Sequence, residues 1–378
     1  MIYLDYNATT PVDPRVLDQM LPYFGEHFAN PASRQHRAGI RARDAVEAAR
    51  TGIAQLLGAA PEELFFTSGA TESCNLAIKG VRDRYRRKGR HFVAPVTEHK
   101  AVLDCLRHLE SYGAEVSLVP VARDGIVEPD ALAAAIRPDT ALVSVMWANN
   151  ETGVIQPMQE IGQVCRQHGV LLFSDASQAV GKIDVDPRAV GVQLLALSGH
   201  KCYGPKGIGA LYVSARSPQV RLEPLIHGGG HEGGMRSGTL NVPGVVGLAA
   251  AVRLAHGEMD EFARRTATLR DLLETAFSGQ CQINGATAQR LPHVSNLAFA
   301  GLDGPALMQI LEADLAIASG SACTAADPEP SHVLMAMGLS RAEANGSLRI
   351  SLGRFTTDAE VSRAIALLRE TLPRFVRR

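Results

Sequence analysis

No two cysteines in this chain have the Cys-x-x-Cys spacing; the six, at positions 74, 105, 165, 202, 281 and 323, are scattered. Such scatter argues against a structural zinc site and a disulfide framework, so most are expected to be free thiols and no metal is expected. No apolar run approaches the ~18 residues of a membrane span. The start, Met1-Ile2-Tyr3-Leu4-Asp5-Tyr6-Asn7, has neither the basic end nor the apolar stretch of a signal peptide, so the expectation is a cytoplasmic protein. There is no excess of charge either: the formal net charge is -1, with charged residues at 20%. This speaks against nucleic acid or an anionic membrane as a partner and points to small molecules or proteins. Lysine is scarce, with only six, at 79, 88, 100, 182, 201 and 206.

What is present is a long chain with ample apolar content. At 378 residues and 46% hydrophobic it exceeds the ~250–300 residues at which single cores stop growing, so two domains are expected. Between about 60 and 215, short apolar runs alternate with helical patterns: residues 63–66, 91–94, 115–119, 141–145, 170–175, 194–201 and 209–213. That alternation predicts an α/β fold with a mostly parallel sheet. Helical spacing is expected over 75–81, 100–109 and 242–256. The tail carries strand patterns at 293–299 and 347–351 between helical ones, which reads as a smaller α+β unit. The expected division is a large domain, 14–255, and a small domain formed by 1–13 with 256–378.

Two residues stand at the ends of buried strand patterns: Asp175 closes Val170-Leu171-Leu172-Phe173-Ser174, and Lys201 closes the run from Leu194. An anion and a cation placed this way suit an aldehyde cofactor with a pyridine nitrogen, the lysine holding the aldehyde as a Schiff base and the aspartate keeping the ring nitrogen protonated. Thr67-Ser68-Gly69-Ala70-Thr71-Glu72-Ser73 follows a strand and precedes a helix, a setting for phosphate at a helix N-terminus or simply a capped turn. Ser198 and His200 flank Lys201 closely enough to add phosphate hydrogen bonds, and Gln178 is placed to reach a ring oxygen. His99 follows a strand of the same sheet, where such folds put ligands. Lys206, in Gly204-Pro205-Lys206-Gly207, reads as part of a turn at the pocket mouth, and Lys182 as a loop residue. Cys323 lies in Ala318-Ser319-Gly320-Ser321-Ala322-Cys323-Thr324-Ala325-Ala326, a run of small residues with little to bury, which predicts a mobile loop.

Nine motifs in order carry a resemblance over nearly the whole length: Tyr3-Leu4-Asp5-Tyr6-Asn7-Ala8-Thr9-Thr10-Pro11, Asn30-Pro31-Ala32-Ser33, Ser68-Gly69-Ala70-Thr71-Glu72-Ser73, Thr97-Glu98-His99, Asn149-Asn150-Glu151-Thr152-Gly153, Asp175-Ala176-Ser177-Gln178, Ser198-Gly199-His200-Lys201, Arg236-Ser237-Gly238-Thr239 and Ser319-Gly320-Ser321-Ala322-Cys323. Together they resemble the cysteine desulfurases of the NifS/IscS type, within the class V aminotransferases of fold-type I pyridoxal-phosphate enzymes. The resemblance implies that fold, with a seven-stranded sheet in the large domain, and pyridoxal 5'-phosphate as cofactor.

It further implies Lys201 as the Schiff-base lysine, Asp175 on the pyridinium nitrogen, Gln178 on the ring oxygen and His99 stacked on the ring as an acid/base group. Ala70, Thr71, Ser198 and His200 would hold the phosphate. Thr239 is similar to the residue lent across a homodimer interface to the neighbouring phosphate. Asn150 and Arg349 match the groups that bind the substrate carboxylate. The implied reaction takes L-cysteine to L-alanine: Lys201 removes the α-proton, the Cys323 thiolate takes the sulfur as a persulfide, and His99 carries protons. Sulfur then passes to acceptor proteins of the iron–sulfur scaffold or thiolation type, since the 325–331 segment has the longer form of that subgroup. Cys74 and Cys202 depart from the usual pattern without touching an assigned role. The rival readings are a selenocysteine lyase, another class V aminotransferase, or a sulfur-transfer platform with little turnover.

Overall fold

The computed structural model describes residues 1–216, 218–319 and 329–376. Its first strand, β1 (Ile2–Tyr3), is followed by seven that form one sheet: β2 (Leu64–Thr67), β3 (His91–Pro95), β4 (Glu115–Val119), β5 (Thr140–Ser144), β6 (Leu171–Asp175), β7 (Leu194–Ser198) and β8 (Gly209–Val213). The sheet order is β2-β8-β7-β6-β5-β3-β4. Pairings among β4, β3, β5, β6 and β7 are parallel, and β8 runs antiparallel to both β7 and β2.

Strands β3, β5, β6, β7 and β8 are buried along their whole length, so they read as continuous apolar runs and not as alternating ones. Successive side chains still go to opposite faces. Leu195 and Leu197 join one core with Val46, Ile53, Val245 and Leu248 of the helices Arg37–Leu56 and Val242–Gly257. Leu194 and Ala196 join another with Leu76, Ile78, Val102 and Leu106 of the helices Ala70–Tyr85 and Lys100–Glu110. The result is a three-layer α/β arrangement that leaves the C-terminal ends of the parallel strands open for ligands.

The remaining strands are β9 (Gln282–Ile283), β10 (Val294–Ala298), β11 (Leu315–Ala316), β12 (Ala318–Ser319) and β13 (Ser347–Ser351). Four make an antiparallel sheet in the order β12-β13-β10-β9, while β11 pairs in parallel with β1. Leu297, Leu348 and Ile350 pack with Leu269, Leu273 and Val361 of the helices Met259–Ala276 and Asp358–Thr371, and Ile2 and Leu4 enter this same core. On that packing we propose the division into 14–255 and 1–13 with 256–378. No helix among the described residues is long and apolar enough to cross a membrane.

Local boundaries differ from the sequence reading in two places that matter. The strand leading to Lys201 stops at Ser198, and Gly199–Lys201 form one tight turn. The helix after β2 begins at Ala70, five residues before Asn75, because Gly69 caps it at φ 149° and ψ 180°.

Candidate functional site

Four parallel strands and β2 deliver side chains to one end of the sheet. After β2, Gly69 turns the chain so that Ala70 and Thr71 sit in the first turn of their helix, where backbone N–H groups have no helical acceptor. After β3, His99 caps the helix Lys100–Glu110, its Nδ1 accepting from Ala101 N at 3.1 Å. The segment after β5 holds Asn149, whose Oδ1 accepts from the backbone of Glu151 and Thr152 at 2.8 and 3.0 Å and sets the turn that presents Asn150. Asp175 ends β6 and accepts from Ser177 N at 2.9 Å. Ser198 ends β7, one turn before His200 and Lys201.

These residues surround a cavity of about 510 Å³, whose lining includes Ala70, Thr71, His99, Asn150, Asp175, Gln178, Ser198, His200, Lys201 and Arg349. Lys206 and Gly207 line it as well, as the turn reading anticipated. Of the residues singled out in the sequence, one described residue of the expected phosphate set stands apart. Thr239 is exposed and outside the cavity of its own chain. Cys323 lies outside the described residues.

The segment that joins these parts was passed over in the sequence for its own role. Asn7 is fully buried and bonds in five directions. Its N–H donates to Ser351 Oγ at 2.9 Å and its Nδ2 to the Asn150 carbonyl at 3.0 Å. Its carbonyl accepts from Lys201 Nζ at 2.6 Å and from Gln178 Nε2 at 3.0 Å, while Oδ1 meets His293 Nε2 at 2.9 Å. Lys201 Nζ also donates to the Ala8 carbonyl at 2.9 Å. Arg349, on β13 and 2% exposed, pairs through Nη2 with Asp5 Oδ1 at 2.7 Å and donates through Nη1 to the Asn150 carbonyl at 3.2 Å.

Burial shapes the charge states. His200 is pulled down to about 4 by burial, then by Lys201, Lys206 and Lys182, so it is neutral at pH 7, with Nδ1 facing Thr9 Oγ1 at 3.1 Å. His293 is held well below its ordinary value by burial and is neutral too. Burial pushes Glu151 up to about 7 against the hydrogen bond from Ser331 Oγ. Glu98, buried beneath the His99 turn, is raised well above the usual carboxylate range, again by burial first. Lys182 was read as a loop residue; it does lie in a turn, yet it is only 4% exposed. The one signal of its position was its spacing of four from Gln178, to whose Oε1 it donates at 2.8 Å.

Residues 2–364 match the family model described as aminotransferase class-V. The chain belongs to the class-V aminotransferase family. Among its class-V relatives, the cysteine desulfurase IscS of Anaeromyxobacter dehalogenans (strain 2CP-C) is 52% identical over 372 residues, covering 98% of this chain and 92% of the relative. The cysteine desulfurase IscS of Methylococcus capsulatus (strain ATCC 33009 / NCIMB 11132 / Bath) is 51% identical over 375 residues, covering 99% and 93%. Among solved structures, a NifS-like protein superposes with a TM-score of 0.92 at 37% identity, covering 99% of this class-V chain and 100% of that one. SspA in complex with cysteine superposes with a TM-score of 0.83 at 38% identity, covering 94% and 100%.

Proposed function

We infer that this chain is a cysteine desulfurase that uses pyridoxal 5'-phosphate and relays sulfur through Cys323. The observation that carries the reading is the convergence of Lys201, Asp175, His99, the Ala70–Thr71 helix start and Arg349 on one cavity.

The donor set fits the cofactor. A helix N-terminus with Thr71, Ser198 and neutral His200 beside it suits a phosphate. Asp175, 8% exposed, offers a carboxylate to a ring N–H, and Gln178 offers an amide donor. Ser177 Oγ and Arg349 Nε, on residues that line the cavity, are buried without a hydrogen-bond partner among the described residues. When bound, pyridoxal phosphate supplies an aldehyde for an amino group and a ring that takes up the electron pair released at Cα.

The chain's own residues then have definite tasks. Arg349 grips the carboxylate of L-cysteine with its planar fork, aided by Asn150, and so orients Cα toward Lys201. Lys201 Nζ moves the proton at Cα. The Cys323 thiolate attacks the substrate sulfur: an S–S bond forms, the Cβ–S bond breaks, and the electron pair leaving sulfur stays with carbon, which is protonated to give L-alanine. Cys323 is oxidised to the persulfide as that carbon is reduced, so no outside oxidant is required. His99 Nε2 is the proton carrier on the cavity side, because Nδ1 is engaged by Ala101 N. Acceptor proteins of the scaffold or thiolation type would take the sulfur. Thr239 would serve the second subunit of a homodimer, its segment steadied by Arg236, which bonds Glu72 at 2.8 Å.

The deciding experiment supplies L-cysteine to the purified protein and follows alanine release together with intact-protein mass. Stoichiometric alanine with one added sulfur on Cys323 is the expected result. Alanine without that persulfide would rule out the relay, and a protein that acquires no visible absorption from pyridoxal phosphate would rule out the cofactor.

A further inference from the structure

Lys182 has no part in the roles above. It is 4% exposed and does not line the cavity, yet its Nζ donates to Oε1 of Gln178, which does. A buried lysine is costly unless its donors are engaged. The charged and titratable groups interacting with Lys182 are Lys201, of like sign, the Cys202 thiol, and the neutral His200 and His293; with burial as the largest effect, its pKa falls to about 7. An apolar side chain of similar length would fill the same space without that cost, so the contact with Gln178 is the distinctive property of a lysine here.

That contact decides which way the Gln178 amide faces. The oxygen and nitrogen of a glutamine amide are nearly identical in shape, and partners alone fix their order. On one side stands Lys182, rich in donors. On the other is the Asn7 carbonyl, able only to accept, 3.0 Å from Nε2. Turned over, the amide would set two oxygens against each other and two donor groups against each other. Nε2 is thereby kept beside Lys201, whose Nζ shares the same Asn7 carbonyl at 2.6 Å.

We propose that Lys182 is a positioning residue that pins the Gln178 amide with its nitrogen toward Lys201, so that the cavity offers a fixed hydrogen-bond donor to the ring oxygen of pyridoxal phosphate. This rests on the cofactor reading above. Lys182 touches neither cofactor nor substrate; it acts through Gln178.

The test is the titration of the visible absorption band of the resting holoprotein, without substrate, in wild type, K182M, Q178A and the double variant. Losing an oriented donor to the ring oxygen favours the protonated chromophore, so K182M should raise the band's titration midpoint by about one pH unit. In the Q178A background the same substitution should lose most of that shift, since the two residues act as a pair. A purely packing role for Lys182 would change thermal stability in both backgrounds and leave the midpoint in place. Should K182M fail to fold, K182L likewise removes the donor to Gln178 and is read in the same way. An unmoved midpoint in either folded variant, or a full shift in the Q178A background, overturns the proposal. A wild-type protein with no visible band on adding pyridoxal phosphate overturns the cofactor reading instead.

Discussion

His99 holds two jobs that a substitution can separate. Its Nδ1 caps a helix, a role Asn fills well and Ala does not, and its ring faces the cavity. H99A should lose about 1 kcal/mol of stability and about 10²–10⁴-fold in turnover while retaining the cofactor. H99N should recover the stability and not the turnover; denaturant unfolding and alanine release measure the two. Arg349 makes a second residue-scale case. Its fork is shared between Asp5 and the Asn150 carbonyl, so position and planarity both matter. R349K keeps the charge and loses the fork, and should raise KM for L-cysteine by about 10-fold or more, with the smaller change in kcat. An unchanged KM would remove Arg349 from the carboxylate site.

At the scale of elements, the turn between β2 and its helix depends on one glycine. At φ 149° and ψ 180°, Gly69 occupies a region essentially closed to other residues, with nothing nearer to a built Cβ than Ser198 Oγ. G69A should therefore cost about 1–3 kcal/mol through the backbone alone and loosen cofactor retention, seen by denaturation and by dialysis against buffer. Gly209, across from it, is needed for space: a Cβ there would stand 2.7 Å from Gly69 Cα. Such elements also show what a sequence discloses. Five strands of the main sheet, β3 and β5 to β8, were legible because strands buried on both faces leave unbroken apolar runs, as before Asp175, while β2 and the part-exposed β4 showed only as short apolar runs between turn signals. The two-residue strands Ile2–Tyr3, Gln282–Ile283, Leu315–Ala316 and Ala318–Ser319 were not legible, being too short to show any period. Site residues at strand ends were found for the same reason the strands were. Asn7 and His293 were missed as site residues because their partners are distant in the chain, which no local pattern encodes, and Lys182 because its spacing of four from Gln178 does not by itself reveal burial.

At the scale of the whole molecule, the buried lysine makes stability depend on pH in a defined direction. Lys182 has a native pKa of about 7 against an ordinary 10.5. Between those values the unfolded chain binds more protons than the folded one, so stability rises with pH across that window; below about 7 the full penalty is present. K182M removes the dependence. The unfolding free energy of wild type minus that of K182M should therefore climb from pH 7 toward pH 10, by an amount on the order of a few kcal/mol, in chemical denaturation of the two proteins. A flat difference would show that Lys182 is charged or hydrated in the folded state.

The Asn7 hub has a bearing on synthesis. Its backbone N–H bonds to Ser351, and its neighbour Asp5 pairs with Arg349 across 344 positions of sequence. These residues thus find their partners only after the 344 positions that separate them have been made. Contacts so remote in sequence form slowly and close the largest loops. Until then Lys201, Gln178 and Arg349 lack the segment that ties them together. On the proposed reading, capture of pyridoxal phosphate would accordingly be a late event in the life of each new molecule, and the visible colour a report that folding has reached its end.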